Sequence, residues 1–188
     1  MKKTATIFLG IFLVIALTAC GGSKEAQQEA QITDSLELLN TVWNTYGEEE
    51  KFPVAGGDFS EENQNMEGPG KYALTDAEAL DASLGFPADS IDQIDDAASL
   101  MHMMNANTFT CGAYHVKDSR QITTLADAIK DNILKRLWTC GFPDKFFVVS
   151  VDDYIVAFFG KEDATNGFRS KLAEAYPNAR VLYEETIE

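Results

Sequence analysis

Histidine is nearly missing from this chain of 188 residues, with only His102 and His115 present, and cysteine occurs just three times, as Cys20, Cys111 and Cys140. That leaves little material for a cysteine–histidine catalytic pair or a thiolate–imidazole metal cluster. Positive charge is scarce too. Against 30 Asp and Glu stand 15 Lys and Arg, a net charge of −15, and a surface so acidic repels phosphate backbones, so no nucleic-acid partner is expected. Familiar catalytic signatures are missing as well: no phosphate-binding loop, no Gly-x-Ser-x-Gly elbow, no His-Glu-x-x-His and no dinucleotide fingerprint occurs.

Apolar residues, by contrast, are plentiful. Hydrophobic residues make up 45% of the chain and aromatics 11%, enough for one packed domain and too much for global disorder. Lys2 and Lys3 precede an almost wholly apolar run from Ile7 to Leu17. That run is shorter than the ~20 residues a spanning helix needs, and its charged start gives it the layout of a secretory signal. It ends in Leu17-Thr18-Ala19-Cys20, followed by Gly21-Gly22-Ser23. This ending resembles the lipobox of bacterial lipoproteins. The resemblance implies removal of residues 1–19, a thioether-linked diacylglycerol on Cys20, and attachment to the extracytoplasmic face of the cell membrane. Several acyl chains on one residue, palmitate among them, hold far better than one. Residues 20–31 are polar, without an aromatic or β-branched side chain, and are expected to form a flexible tether.

Residues 32–188 are expected to form a single α+β domain with a helical, loop-rich part (32–107) and a strand–helix alternation (108–188). Leu36, Leu39, Val42, Trp43 and Tyr46 recur at helical spacing and predict a helix over Asp34–Tyr46. A long irregular stretch, Glu48–Tyr72, follows. Thr75-Asp76-Ala77-Glu78 has the pattern of a capping box and opens a helix to Leu84. Ile94–Met104 is expected to be a third helix, with Ala97, Ala98, Leu100, Met101 and Met104 sharing a stripe.

The second part is expected to begin with a strand over Thr108–Val116. A helix from Thr124 follows, with Leu125, Ala126, Ile129, Ile133 and Leu137 on one face. Phe146–Val151 and Tyr154–Phe159 form a hairpin about Asp152-Asp153. A helix over Asp163–Tyr176 and a strand over Arg180–Ile187 close the chain. The order β-α-β-β-α-β is the split, ferredoxin-like arrangement. Right-handed crossovers would place both of its helices on one face of an antiparallel sheet. The hairpin strands are apolar at nearly every position, whereas a sheet wet on one side alternates. The other face is therefore expected to be covered by the N-terminal helices.

Few constellations carry chemistry. With Cys20 lipidated, Cys111 and Cys140 remain as a candidate disulfide, whose loop closure would contribute roughly 3–4 kcal/mol; the alternative is two buried thiols acting as small apolar residues. Cys111 and His115 share a strand face, but four residues of strand span about 13 Å, too far for two ligands of one ion. Met101-His102-Met103-Met104 offers soft ligands of the kind Cu(I) favours, yet helical spacing turns Met101 and Met104 into the core. The acidic runs lack the alternation of a calcium loop and are expected to be solvated faces. No catalytic residue, metal ligand or cofactor is assigned.

Phe52–Asp58, Asn105–Phe109 and Trp138–Asp144 have the composition of specific turns. With the helix–strand order of the second half, they make the last half to two thirds of the chain similar to a group of uncharacterised small lipoproteins of Gram-positive gut bacteria, a resemblance that implies no activity. The expected function is a non-catalytic, lipid-anchored module that binds a protein or small-molecule partner. Its candidate binding surface is Trp138, Phe142, Phe52 and Asp58, since aromatics on scaffolded loops favour binding sites. The alternatives are a carboxylate-based surface hydrolase and a metal-handling lipoprotein that uses the Met/His run.

Overall fold

The computed structural model describes residues 32–104, 108–139 and 141–187. Cys20, the expected leader and tether, and Cys140 lie outside the described residues. In chain order the elements are α1 (Ser35–Asn44), β1 (Val54–Ala55), β2 (Gly70–Lys71), α2 (Ala77–Leu84), β3 (Ile94–His102), β4 (Phe109–Val116), α3 (Ile122–Lys135), β5 (Lys145–Val151), β6 (Tyr154–Gly160), α4 (Glu162–Ala175) and β7 (Arg180–Thr186). No helix among the described residues is long and apolar enough to cross a membrane.

The strands form one antiparallel sheet in the order β1-β3-β4-β6-β5-β7, with β2 also pairing β3. The mixed α+β class agrees with the sequence, and the second half has the expected β-α-β-β-α-β order. Its strand neighbours differ from the ferredoxin-like expectation, because the last strand pairs with β5 instead of returning beside β4. The cause is β3. The segment expected to be a third helix is a nine-residue strand, paired with β4 from Ile94↔Val116 to Met101↔Thr110. It occupies the place beside β4 that β7 would take, and β7 extends the other edge.

That displacement decides where the helices go. Both crossovers, β4–α3–β5 and β6–α4–β7, now step in the same direction across the sheet, but their starting strands run in opposite directions. Right-handed connections then put α3 and α4 on opposite faces. The expectation that both would share one face is overturned. One core layer joins Leu38, Leu39 and Val42 of α1 with Phe168 and Leu172 of α4. The other joins Leu80 and Leu84 of α2 with Leu125, Ala126, Ile129 and Ile133 of α3. Both faces are therefore covered, which the unbroken apolar runs of β5 and β6 required. Phe147 and Phe158 lie under α1 and α4, and Phe146 and Phe159 lie on the α2/α3 side.

Local signals explain most boundaries. Asp34 caps α1 by accepting from Glu37 N at 2.7 Å, and Asp96 of β3 accepts from Ser35 N at 2.6 Å. The N-cap of α2 is Asp76, accepting from Ala79 N, where the capping-box pattern pointed to Thr75. In α3 the helix begins at Ile122, so Thr124 lies inside it. The β5–β6 hairpin turns on Asp152-Asp153, with Asp152 at φ 48°.

The stretch Glu48–Tyr72 is a laced loop. Gly56 and Gly70 pass in backbone contact, for a Cβ on Gly56 would lie 2.2 Å from Gly70 N. Ser99 Oγ, buried in β3, accepts from Gly57 N at 2.8 Å and donates to Gly57 O at 3.0 Å.

Candidate functional site

The sheet has two unlike ends, about 30 Å apart by the length of β3. At one end the described chain enters at Ile32, and a cleft of about 590 Å³ is lined by Ile32, Thr33, Asp34, Asp95, Asp96, His115, Asp152, Asp153 and Tyr154. The acids gather here for local reasons: Asp34 and Asp96 hold the start of α1, and Asp152 and Asp153 make the hairpin turn. His115 Nδ1 lies 2.5 Å from Asp95 Oδ1. Burial, together with Asp96, Asp34, Asp95 and Asp153, pushes the Tyr154 hydroxyl up to about 12. Among the described residues no group of three or more His, Cys, Asp or Glu is arranged to hold a metal ion.

The opposite end collects the termini of β3, β4, β6, α2 and α3 with the starts of β5 and α4. Several large exposed apolar side chains stand here: Met103 is 51% exposed, Met104 54%, Leu137 93% and Phe142 61%, while Phe59, Met66 and Val181 are exposed elsewhere. Leu137 was expected on the buried face of α3. The helix ends at Lys135, however, and Leu137 stands in solvent. Phe52 is half-buried, stacked on His102 with ring centroids 5.1 Å apart and planes 6° apart, and set edge-on against Trp43 and Phe109. Trp138 packs edge-on against Phe159 at 5.1 Å, and the Arg136 guanidinium lies over its ring at 5.2 Å. The same guanidinium donates to Asp81 O and Ala82 O, both at 2.6 Å, closing the last turn of α2.

His102 joins two depressions at this end. The larger, about 610 Å³, is lined by Phe52, His102, Asp144, Lys161, Glu162, Asp163 and Ala164. The smaller, about 170 Å³, includes Ser83, His102, Met104, Arg136, Trp138 and Gly141. Asp144 accepts from Lys161 Nζ at 2.9 Å and from Glu162 N at 3.2 Å, and these contacts, the Lys161 one first, hold its carboxyl below the usual range. Met104 N donates to His102 Nδ1 at 2.9 Å, and burial lowers the pKa of that ring. The Met/His run is therefore a strand end whose histidine is engaged by its own backbone, not a helical face.

Of the four candidate surface residues, Phe52 and Trp138 line the two depressions that meet at His102, on opposite faces of the sheet, and Phe142 stands exposed one residue beyond Gly141 of the smaller one. Asp58 lines neither depression. It accepts from Ser60 Oγ at 2.6 Å, Asn63 Nδ2 at 2.8 Å, Ser60 N at 3.0 Å and Ala73 N at 3.1 Å, and so organises its own loop. Cys111 is a free thiol, fully buried under α1 and α4, whereas Trp138 packs on the other side of the sheet. Sequence reasoning missed Met103, Met104, Leu137, Glu162 and Asp163 as parts of this surface. No signal marked them: Leu137 follows Ile133 at helical spacing and reads as part of the α3 stripe, which the end of the helix at Lys135 cuts short.

No family model matches the chain, and neither a curated protein nor a solved structure matches it.

Proposed function

We propose that this protein is a lipid-anchored, extracytoplasmic docking module that binds a partner through the apolar end of its sheet and catalyses no reaction. The observation that carries the reading is the position of that end. Met104 lines the smaller groove at His102; its chain neighbour Met103, and Leu137 and Phe142 on either side of the groove residues Trp138 and Gly141, are exposed at this end, opposite Ile32. Large exposed apolar side chains gathered in one place mark interaction surfaces. A chain held at Cys20 enters the domain at the opposite end, beside Ile32, and repulsion between the acids there and anionic headgroups would keep the tether extended and the domain off the bilayer. The Leu17-Thr18-Ala19-Cys20 pattern supports the anchor.

The test has two arms. With the full chain expressed in a bacterium that processes lipoproteins, Cys20→Ala should move the protein out of the detergent-extracted membrane fraction or leave an uncleaved leader. Unchanged fractionation of that variant would rule out the anchor. Chemical crosslinking from residue 142, carrying a photoreactive side chain in intact cells, should yield a discrete adduct that a probe at exposed Glu61 does not give. Equal labelling from both positions would remove the docking role.

A further inference from the structure

The apolar end does not stand alone: the larger groove beside it combines an aromatic plate with unspent negative charge. Phe52 and His102 form one wall, and the first turn of α4, with Glu162 and Asp163, forms the other. Asp144 in the same groove is satisfied by Lys161. The carboxylates of Glu162 and Asp163 make no hydrogen bond or ion pair among the described residues, and both are exposed. We infer that this groove takes a lysine or arginine side chain of a partner polypeptide, whose neighbouring apolar side chains seat on Met103, Met104 and Phe142. The inference rests on the docking role proposed above and names the partner's chemistry.

Charge complementarity selects this occupant. A cationic head between the Phe52 ring and two open carboxylates gains both cation–π and ionic contact, and arginine does so best because it also stacks flat. The apolar residues beyond the groove reward a chain rather than a lone amine, because they extend the contact past the charged head. A second copy of this protein is disfavoured, since each carries a net charge of −15. An anionic bilayer is disfavoured for the same reason.

The experiment uses the full chain purified in mild detergent and three fluorescein-labelled peptides of equal length, alternating leucine with arginine, serine or glutamate, measured by anisotropy at low and at high salt. The arginine peptide should bind about tenfold tighter than the serine peptide at low salt, and Glu162→Gln with Asp163→Asn should erase that preference. Asp152→Asn with Asp153→Asn at the acidic end should leave it intact. Phe142→Ala with Met104→Ala should weaken the arginine and serine peptides alike.

Failure of the arginine peptide to bind overturns the inference, as does equal loss from both acid-neutralised variants, which would mean diffuse attraction to an acidic protein. If the preference survives Glu162→Gln with Asp163→Asn while Phe142→Ala with Met104→Ala still weakens binding, the groove assignment falls and the docking end stands. If Phe142→Ala with Met104→Ala changes nothing, the docking end falls too. Self-association, or binding to phosphatidylcholine vesicles, that Phe142→Ala abolishes would assign the surface to a different occupant and overturn the inference.

Discussion

Tyr114 folds its phenol back over Gly112 on the same strand, so that a Cβ at Gly112 would lie 2.0 Å from the Tyr114 hydroxyl oxygen and 2.5 Å from the ring carbon bearing it. The ring also meets Phe86 at 4.7 Å, and its hydroxyl is buried without a hydrogen-bond partner among the described residues. Gly112→Ala therefore forces the ring out of a filled core and should cost roughly 1–3 kcal/mol. Tyr114→Phe removes an unsatisfied polar atom and should stabilise the protein by roughly 1 kcal/mol. Because the ring carbon still clashes, the double variant should recover only part of the Gly112→Ala loss. Thermal or urea unfolding of the three variants checks all of this.

Asp58 has a pH signature. Burial raises its pKa, but hydrogen bonds from Ser60, Asn63 and Ala73 outweigh that and bring the carboxyl from 3.8 down to about 2. A folded-state pKa below the unfolded one adds stability that is present above about pH 4 and lost as the pH falls towards about 2. Asp58→Asn should lower stability at neutral pH and flatten its decline over that acid range. Ser99→Ala should lower it as well, through the two lost contacts to Gly57, by roughly 1–2 kcal/mol, with the acid decline unchanged. Urea midpoints measured across that pH range separate the two effects.

Cys111 should be silent in the native state. Its thiol is fully buried, and burial pushes its pKa well above the ordinary value, so the reactive thiolate is suppressed. A thiol reagent should label Cys111 only once the domain unfolds, and a reductant should leave the melting temperature where it is. A melting temperature that drops on reduction would instead point to the bridge with Cys140.

The sequence was legible where a pattern reports a local cause. Asp34 before the stripe of α1, Asp152-Asp153 between two apolar runs, and the missing alternation in β5 and β6 each led to the observed element or to buried sheet faces. It was illegible where partners far along the chain decide. Ala97, Ala98, Leu100 and Met101 are good helix formers, yet as β3 they lie between β4 on one side and β1 and β2 on the other, where small side chains let helices pack on both faces. That one reassignment displaced β7 and sent α4 to the opposite face. The candidate site was legible as aromatics on turns, Phe52, Trp138 and Phe142. Glu162 and Asp163 joined it only because the start of α4 lies beside Phe52 and His102, residues far away along the chain, which no spacing in the sequence records.

Trp138 and Phe142 bracket the turn after α3 and should part company when truncated. Trp138 packs on Phe159 beneath the Arg136 guanidinium and is half-buried, so Trp138→Ala should cost about 2 kcal/mol, less than for a fully buried aromatic. Phe142 is 61% exposed, and Phe142→Ala should move stability by less than about 0.5 kcal/mol. An exposed phenylalanine that contributes so little to folding is free to serve recognition, and the same variant should weaken peptide binding. Trp43 is only 5% exposed but packs on Phe52, so the Trp138→Phe variant is needed to separate the two emissions. Peptide that shifts emission in the parent but not in Trp138→Phe would place the contact beside this turn. A Phe142→Ala protein that melts several degrees lower and binds peptide unchanged would make the turn a core cap and take the recognition role from it.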